Sequence, residues 1–120
     1  MLSATIMAGV EELRAVYGDA TLVAAEGTKT FVHIKDMTLP PGCQPARNEF
    51  LLELDLNQPK PKHYVRPGQT CVNGQLPKNP TNEMVVGESW MSFSYNFPYT
   101  EGDSLVRFLA MLCQRFSKNE

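Results

Sequence analysis

The sequence has no surplus of positive charge and no long apolar run. Its 11 Lys and Arg residues stand against 13 Asp and Glu residues, which gives a formal net charge of -2. With this balance, and with no basic stripe interleaved with aromatic residues, there is no electrostatic basis for binding nucleic acid or an anionic membrane. No apolar run approaches the roughly 20 residues that a membrane span needs. The expected partners therefore include neither nucleic acid nor a membrane.

Motifs for metals, phosphates and disulfides are also missing. The three cysteines show no pairing pattern, and the sequence has no Cys-x-x-Cys, no His-x-x-x-His and no glycine-rich phosphate loop. No cofactor or metal is therefore expected. The start, MLSATIMAGVEEL, lacks the basic flank and long apolar core of a signal peptide. Because unpaired cysteines also fit a reducing compartment, the sequence predicts a cytoplasmic protein.

Regular patterns are present in the first half of the chain. Residues 4–17 have apolar side chains at helical spacing and are followed by Gly18, which predicts a short helix. Two strand-like runs, 21–27 and 28–40, meet at Glu26-Gly27-Thr28, and this predicts a hairpin.

The third strand and the last helix have equally clear patterns. Alternation in NEFLLELDLN places one set of residues on one side of a strand: Phe50, Leu52, Leu54 and Leu56. Residues 63–65 can add a short fourth strand, which the preceding prolines confine to an edge or a strand start. Residues 103–117 carry an apolar stripe, with Asp103 or Ser104 as the cap of a second helix. The order predicts one α+β domain spanning residues 1–120, a four-stranded antiparallel β-meander flanked by an N-terminal and a C-terminal helix.

Between these patterned parts lies a long segment without a helical or strand period, residues 66–100. Segments of this length in a compact domain are usually functional or disordered. Its aromatic residues argue against disorder: Trp90, Phe93, Tyr95, Phe97 and Tyr99. Trp90, Phe93 and Phe97 are expected to pack the segment onto the sheet. We therefore expect the functional site in this segment.

The order of these elements and the residues that carry them resemble the ubiquitin-conjugating-enzyme-like superfamily, which includes the RWD domains. VEELRAVYGD resembles the first-helix signature of RWD domains. FVHIKDMTLPPG and FLLELDLNQPKPKHYV resemble the middle strands and the proline-rich turn after the third strand. GESWMSFSYNFPYTEGDSLVRFLAMLCQRF resembles the end of a bacterial branch. The resemblance implies a conjugating-enzyme fold over nearly the whole chain.

The resemblance also implies an activity and two partners. Such enzymes accept a ubiquitin-like modifier from an adenylating activating enzyme as a thioester and transfer it to an amine. The family cysteine lies after the fourth strand and before a tryptophan, a place that Cys71 takes here. Its thiolate is the predicted nucleophile, and the alternative is an incidental loop cysteine without a catalytic role. Because Thr70, Asn73 and Gly74 around it are polar or turn-forming, a buried and inert thiol is not expected.

Three other residues complete the predicted site. Stabilising the tetrahedral oxyanion needs a donor, commonly a side-chain amide in this family. The candidates are the asparagines of the segment: Asn73, Asn79, Asn82 and Asn96. Asn73 is the predicted donor. His63 is predicted as a base or an oxyanion partner. Ser94 is an alternative carrier of the modifier as an ester. The alternative from another class is a catalytically inactive RWD-like protein-interaction module.

Overall fold

The computed structural model describes residues 4–17, 21–55, 58–95 and 104–118. These residues form two helices and six strands: α1 (Ala4–Tyr17), β1 (Thr21–Glu26), β2 (Lys29–Thr38), β3 (Arg47–Asp55), β4 (Gln58–Val65), β5 (Thr81–Val85), β6 (Glu88–Ser92) and α2 (Leu105–Lys118). Six residues that carried predictions lie outside the described residues: Gly18, Leu56, Asn96, Phe97, Tyr99 and Asp103. Neither helix, within the part described, has the length and apolar character needed to cross a membrane.

The predicted four-stranded meander flanked by helices is wrong. The sheet has six antiparallel strands in the order β1-β2-β3-β4-β6-β5, and it curls into a half-barrel. The additional hairpin, β5 and β6, lies inside the segment that was predicted to be irregular. Because β6 rather than β5 pairs with β4, the sheet is also not a simple meander.

Strand β4 is longer than predicted, and its prolines have a specific place in the sheet. The strand lies between β3 and β6, but β6 pairs only with Tyr64 and Val65 at its end. Among the residues that the structure describes, Pro59 and Pro61 therefore lie where β4 has a single partner strand. A proline removes a backbone donor, which is tolerated where no second strand needs it.

Each face of the sheet has its own buried cluster. One face shares a core with both helices, built from residues that include Val10, Leu13, Val32, Ile34, Phe50, Leu52, Val65, Phe93, Phe108, Leu109, Leu112 and Phe116. The opposite face, here called the Trp90 face, holds Phe31, Leu51, Tyr64, Val85 and Trp90, with no residue from the described helices. Trp90 and Phe93 thus lie on opposite faces of the sheet, instead of covering it together as expected.

The start of α2 confirms one of the two predicted caps. The Ser104 hydroxyl accepts a hydrogen bond from the Arg107 backbone N–H at 3.1 Å. It also bonds the Glu12 carboxylate of α1, which in turn accepts the Val106 backbone N–H at 3.4 Å. A hydroxyl and a carboxylate at a helix N-terminus satisfy otherwise unpaired N–H groups. The cap therefore also joins the two helices.

Candidate functional site

The segment around Cys71 connects β4 to β5 and is held in place from two sides. Thr70 forms an isolated antiparallel bridge with Gln44 of the β2–β3 loop. On the other side, the Val72 N–H donates to the carbonyl of Phe116 near the end of α2, at 3.1 Å. The Cys71 N–H closes a local turn by donating to the Gln75 carbonyl at 2.8 Å. Cys71 is therefore held between a loop and a helix.

The Cys71 thiol is buried, contrary to the expectation drawn from its polar neighbours. The residue is 0% exposed and belongs to the core cluster under the helices. Its Sγ lies 3.1 Å from the Tyr95 hydroxyl. Burial raises the pKa of Cys71, and the hydrogen bond with Tyr95 offsets only part of that rise. A buried thiol with a raised pKa is a weak nucleophile, since the thiolate is the reactive form.

His63 lies inside the same core, and aromatic rings lie between it and Cys71. It is 5% exposed, and its ring centroid lies 4.6 Å from that of Phe93 and 5.9 Å from that of Phe108. Phe93 in turn contacts Tyr95, with ring centroids 5.3 Å apart, and Tyr95 contacts the Cys71 sulfur. The contacts therefore connect the predicted base to the predicted nucleophile through two rings.

Asn73 and Ser94, the other two predicted site residues, lie at the surface. The Asn73 side-chain oxygen accepts the Gln75 N–H at 3.0 Å, which makes the side chain part of a turn. Ser94 is exposed just after β6, where its N–H donates to the Lys78 carbonyl at 2.9 Å. The structure thus brings Cys71 and Tyr95 together, while Asn73 and Ser94 are exposed and His63 is buried.

Sequence reasoning missed a polar network on the Trp90 face. Trp90 is 1% exposed, and the guanidinium carbon of Arg66 lies 3.9 Å from its ring centroid. The His33 ring meets Trp90 edge-on at 5.2 Å between centroids. A cation over an indole and an edge-on ring are both favourable arrangements. Arg66 and His33 therefore cover the tryptophan that no described helix covers.

Glu49 holds the two covering residues together. One carboxylate oxygen lies 2.7 Å from His33 Nε2, and the other accepts from Arg66 Nε at 3.3 Å. Partial burial acts to raise the pKa of Glu49, but the hydrogen bonds from Arg66 and His33 outweigh it and hold that pKa below its ordinary value. Arg66 also donates to Glu88 at 3.0 Å and to the Ser89 carbonyl at 3.1 Å. The period-2 spacing of Glu49, Leu51 and Glu53 was the available signal, because it places these residues opposite the helix-facing set.

The hairpin of β5 and β6 exposes apolar side chains at its tip, Met84 to Gly87. Met84 is 71% exposed and Val86 is 50% exposed. Val86 and Gly87 form a two-residue turn with φ of 49° and 77°. Positive φ at both central positions fits a type I′ turn, which favours Asn-Gly and disfavours a β-branched residue. Val86 is therefore a strained apolar residue in contact with solvent.

The described residues contain no group of three or more His, Cys, Asp and Glu side chains placed to hold a metal ion. Comparisons with protein family models, curated proteins and solved structures gave no match.

Proposed function

We propose that this protein is a cytoplasmic, noncatalytic protein-interaction module, the second of the functions that the resemblance implies. The observation that carries the proposal is the burial of Cys71, whose thiol is 0% exposed and hydrogen-bonded to Tyr95. An acyl carrier must present a thiolate to the C-terminal carboxyl of another protein at every turnover. The closed structure presents none at Cys71. Carriage of a modifier as a thioester stays a prediction that requires the segment around Cys71 to open.

The hairpin tip and strand β5 are the proposed recognition surface. In the described sheet β5 pairs only with β6, so its outer edge has backbone groups that no described strand binds. Met84 and Val86 add exposed apolar area beside that edge. Strained backbone costs about 1–3 kcal/mol and is found mainly at functional positions. Since Val86 is 50% exposed, its apolar contacts offset only part of this cost in the isolated chain.

The proposed ligand is an extended peptide segment that adds to β5 as a further strand. Main-chain hydrogen bonds provide affinity in this mode of binding, and contacts with side chains such as Met84 provide specificity. The partners that the resemblance implies are a ubiquitin-like modifier and its adenylating activating enzyme. The C-terminal tail of such a modifier is the candidate segment, bound here without a covalent bond.

Site-specific photo-crosslinking tests the surface. A photoreactive phenylalanine analogue replaces Met84 in cells, and the matched control carries it at Ala24, an exposed position on β1 at the other sheet edge. We expect a discrete adduct from position 84 that position 24 does not give. The partner is then purified, and Met84→Ser is expected to weaken its binding at least tenfold, because burying a methionine contributes about 1.5–3 kcal/mol. Equal crosslinking from both edges, or unchanged affinity, contradicts the proposal.

A reconstituted conjugation reaction tests the absence of catalysis. The protein is incubated with a purified modifier, its activating enzyme and ATP, and covalent adducts are sought. We expect none. A thiol-labile adduct that Cys71→Ala abolishes would establish the thioester function instead. A thiol-resistant, hydroxylamine-labile adduct lost in Ser94→Ala would establish carriage as an ester.

A further inference from the structure

Cys43 and Cys71 lie opposite each other across a short antiparallel pairing. Gln44 and Thr70 are bridge partners, with the Thr70 N–H donating to the Gln44 carbonyl at 2.8 Å. In an antiparallel register, the residue before Gln44 faces the residue after Thr70. These two residues are Cys43 and Cys71.

The next pair in the same register confirms the alignment. Gly42 should face Val72, and a Cβ atom built on Gly42 would lie 3.3 Å from Val72 Cγ1 and 3.6 Å from Val72 Cα. The two segments therefore approach each other closely on both sides of the cysteines, at Gln44 and Thr70 and at Gly42 and Val72.

The geometry of this pair suits a disulfide bond. Because the Thr70 N–H donates to the carbonyl of its bridge partner Gln44, the adjacent pair takes the non-hydrogen-bonded position, at which Cα atoms in a regular antiparallel ladder lie about 4.5 Å apart. That spacing lies within the roughly 4.4–6.8 Å that disulfides span. The backbone N–H groups agree, since Cys43 donates to Pro40 at 3.2 Å and Cys71 to Gln75 at 2.8 Å, each within its own segment. Both side chains, 2% and 0% exposed, enter the same core cluster.

We propose that Cys43 and Cys71 are a redox-modification site, which hydrogen peroxide converts reversibly into a disulfide. One thiol is oxidised by peroxide to a sulfenic acid with release of one water. The second thiol then attacks the sulfenic sulfur, the S–S bond forms, and the hydroxyl leaves as a second water with the thiol proton. Thiol reductants reverse the reaction by exchange.

Burial sets the conditions under which the bond forms. Neither thiol is accessible in the closed structure, and burial raises the pKa of both cysteines. Oxidation therefore proceeds through local opening of the segment around Cys71, and it is slow at neutral pH. Once formed, the bond joins the β2–β3 loop to the β4–β5 connection and closes a long loop. Restriction of the unfolded chain by such a loop raises the Tm by about 10 °C.

Peroxide treatment of the folded full-length chain tests the proposal. The product is alkylated, digested and analysed by mass spectrometry. We expect a peptide pair linked through Cys43 and Cys71, with a mass two hydrogen atoms below the sum of the two free peptides. The Tm should rise on oxidation and return to its original value after reduction. The matched control is Cys113→Ser, which removes the remaining cysteine and should leave the linked pair unchanged. Cys43→Ala and Cys71→Ser should each abolish it.

The same treatment in denaturant distinguishes register from chance pairing. Unfolded chains should give a mixture that includes pairs with Cys113. The proposal is overturned if the folded protein gives the same mixture, if it pairs Cys43 with Cys113, or if Cys71 is overoxidised without any linked peptide. An oxidised form with a lower Tm than the reduced form would likewise show that the native register does not accommodate the bond.

Discussion

Replacing Val86 with asparagine should stabilise the protein, although it removes an apolar side chain. Val86 has a φ of 49°, and the left-handed region costs an L-residue roughly 1–2 kcal/mol. Asparagine tolerates this region and precedes glycine in the preferred type I′ turn. Because Val86 is 50% exposed, losing its apolar contacts costs only about 0.5–1 kcal/mol. The expected net gain is about 1 kcal/mol.

Urea unfolding measures this gain directly. Trp90 is the single tryptophan and is 1% exposed, so its fluorescence reports unfolding of the sheet. With an m-value of about 1–2 kcal/mol/M, a gain of this size raises the unfolding midpoint by about 0.5–1 M. The corresponding rise in Tm is about 4 °C.

Two matched variants separate strain from the loss of apolar area. Val86→Ala removes the β-branch but lacks asparagine's preference for this region, so it should stabilise less than Val86→Asn. Asn79 has a φ of 54° and is exposed, so Asn79→Val is the reciprocal change and should destabilise by about 1 kcal/mol. Val86→Asn with a stability at or below that of the wild type would refute the reasoning. So would a neutral Asn79→Val.

The remaining predictions concern the polar contacts of the two faces. Since the pKa of Glu49 is lowered, its charge stabilises the fold above the ordinary carboxyl pKa, and this contribution disappears as pH falls through that value to the pKa of the folded state. Glu49→Gln should therefore be less stable than the wild type by about 1 kcal/mol at neutral pH, allowing for solvent screening, with the difference vanishing in acid. A pH-independent difference in urea titrations would contradict this. Tyr95→Phe removes the hydrogen bond that lowers the pKa of Cys71, so thiolate absorbance should appear at still higher pH, and stability should fall by about 1–2 kcal/mol. Thiolate appearing at lower pH would show that Tyr95 does not stabilise the charged sulfur.

Local pattern was sufficient for the helices, the first hairpin and the alternation of β3, and insufficient for the length of β4 and for the β5–β6 hairpin. Helix α1 and the turn at Gly27 lie where periodicity and turn chemistry place them. The β5–β6 hairpin was missed because its turn has valine where asparagine is usual, and because exposed Met84 breaks the apolar alternation of an edge strand. Because Trp90 belongs to β6, a prediction without β6 cannot place Trp90 beside the other residues of the Trp90 face.

The prolines of β4 limit where this strand can pair, but the missed hairpin changes which neighbours it has. The sequence pattern predicts that they confine the strand to an edge or to its start. The strand is internal, but in the described sheet only its last residues, Tyr64 and Val65, pair with β6. Pro59 and Pro61 thus lie beside an edge that is open locally rather than along the whole strand. How far β4 is paired on this side depends on the length of the neighbouring β5–β6 hairpin, and the residues of β4 do not determine that length.

Burial of Cys71 depends on residues that are remote in sequence, and it separates the two chemical roles considered for its thiol. Its polar neighbours suggest exposure, but Tyr95 bonds its sulfur, while Phe116 and Gln44 hold Val72 and Thr70 on either side of it. If opening costs about 4 kcal/mol, roughly one molecule in a thousand exposes the thiol at any moment. A carrier that must react at every turnover loses that factor in rate each time. A disulfide with Cys43 needs only one opening event, after which the closed register holds both sulfurs together. The same enclosure that opposes acyl transfer is thus compatible with slow, reversible oxidation.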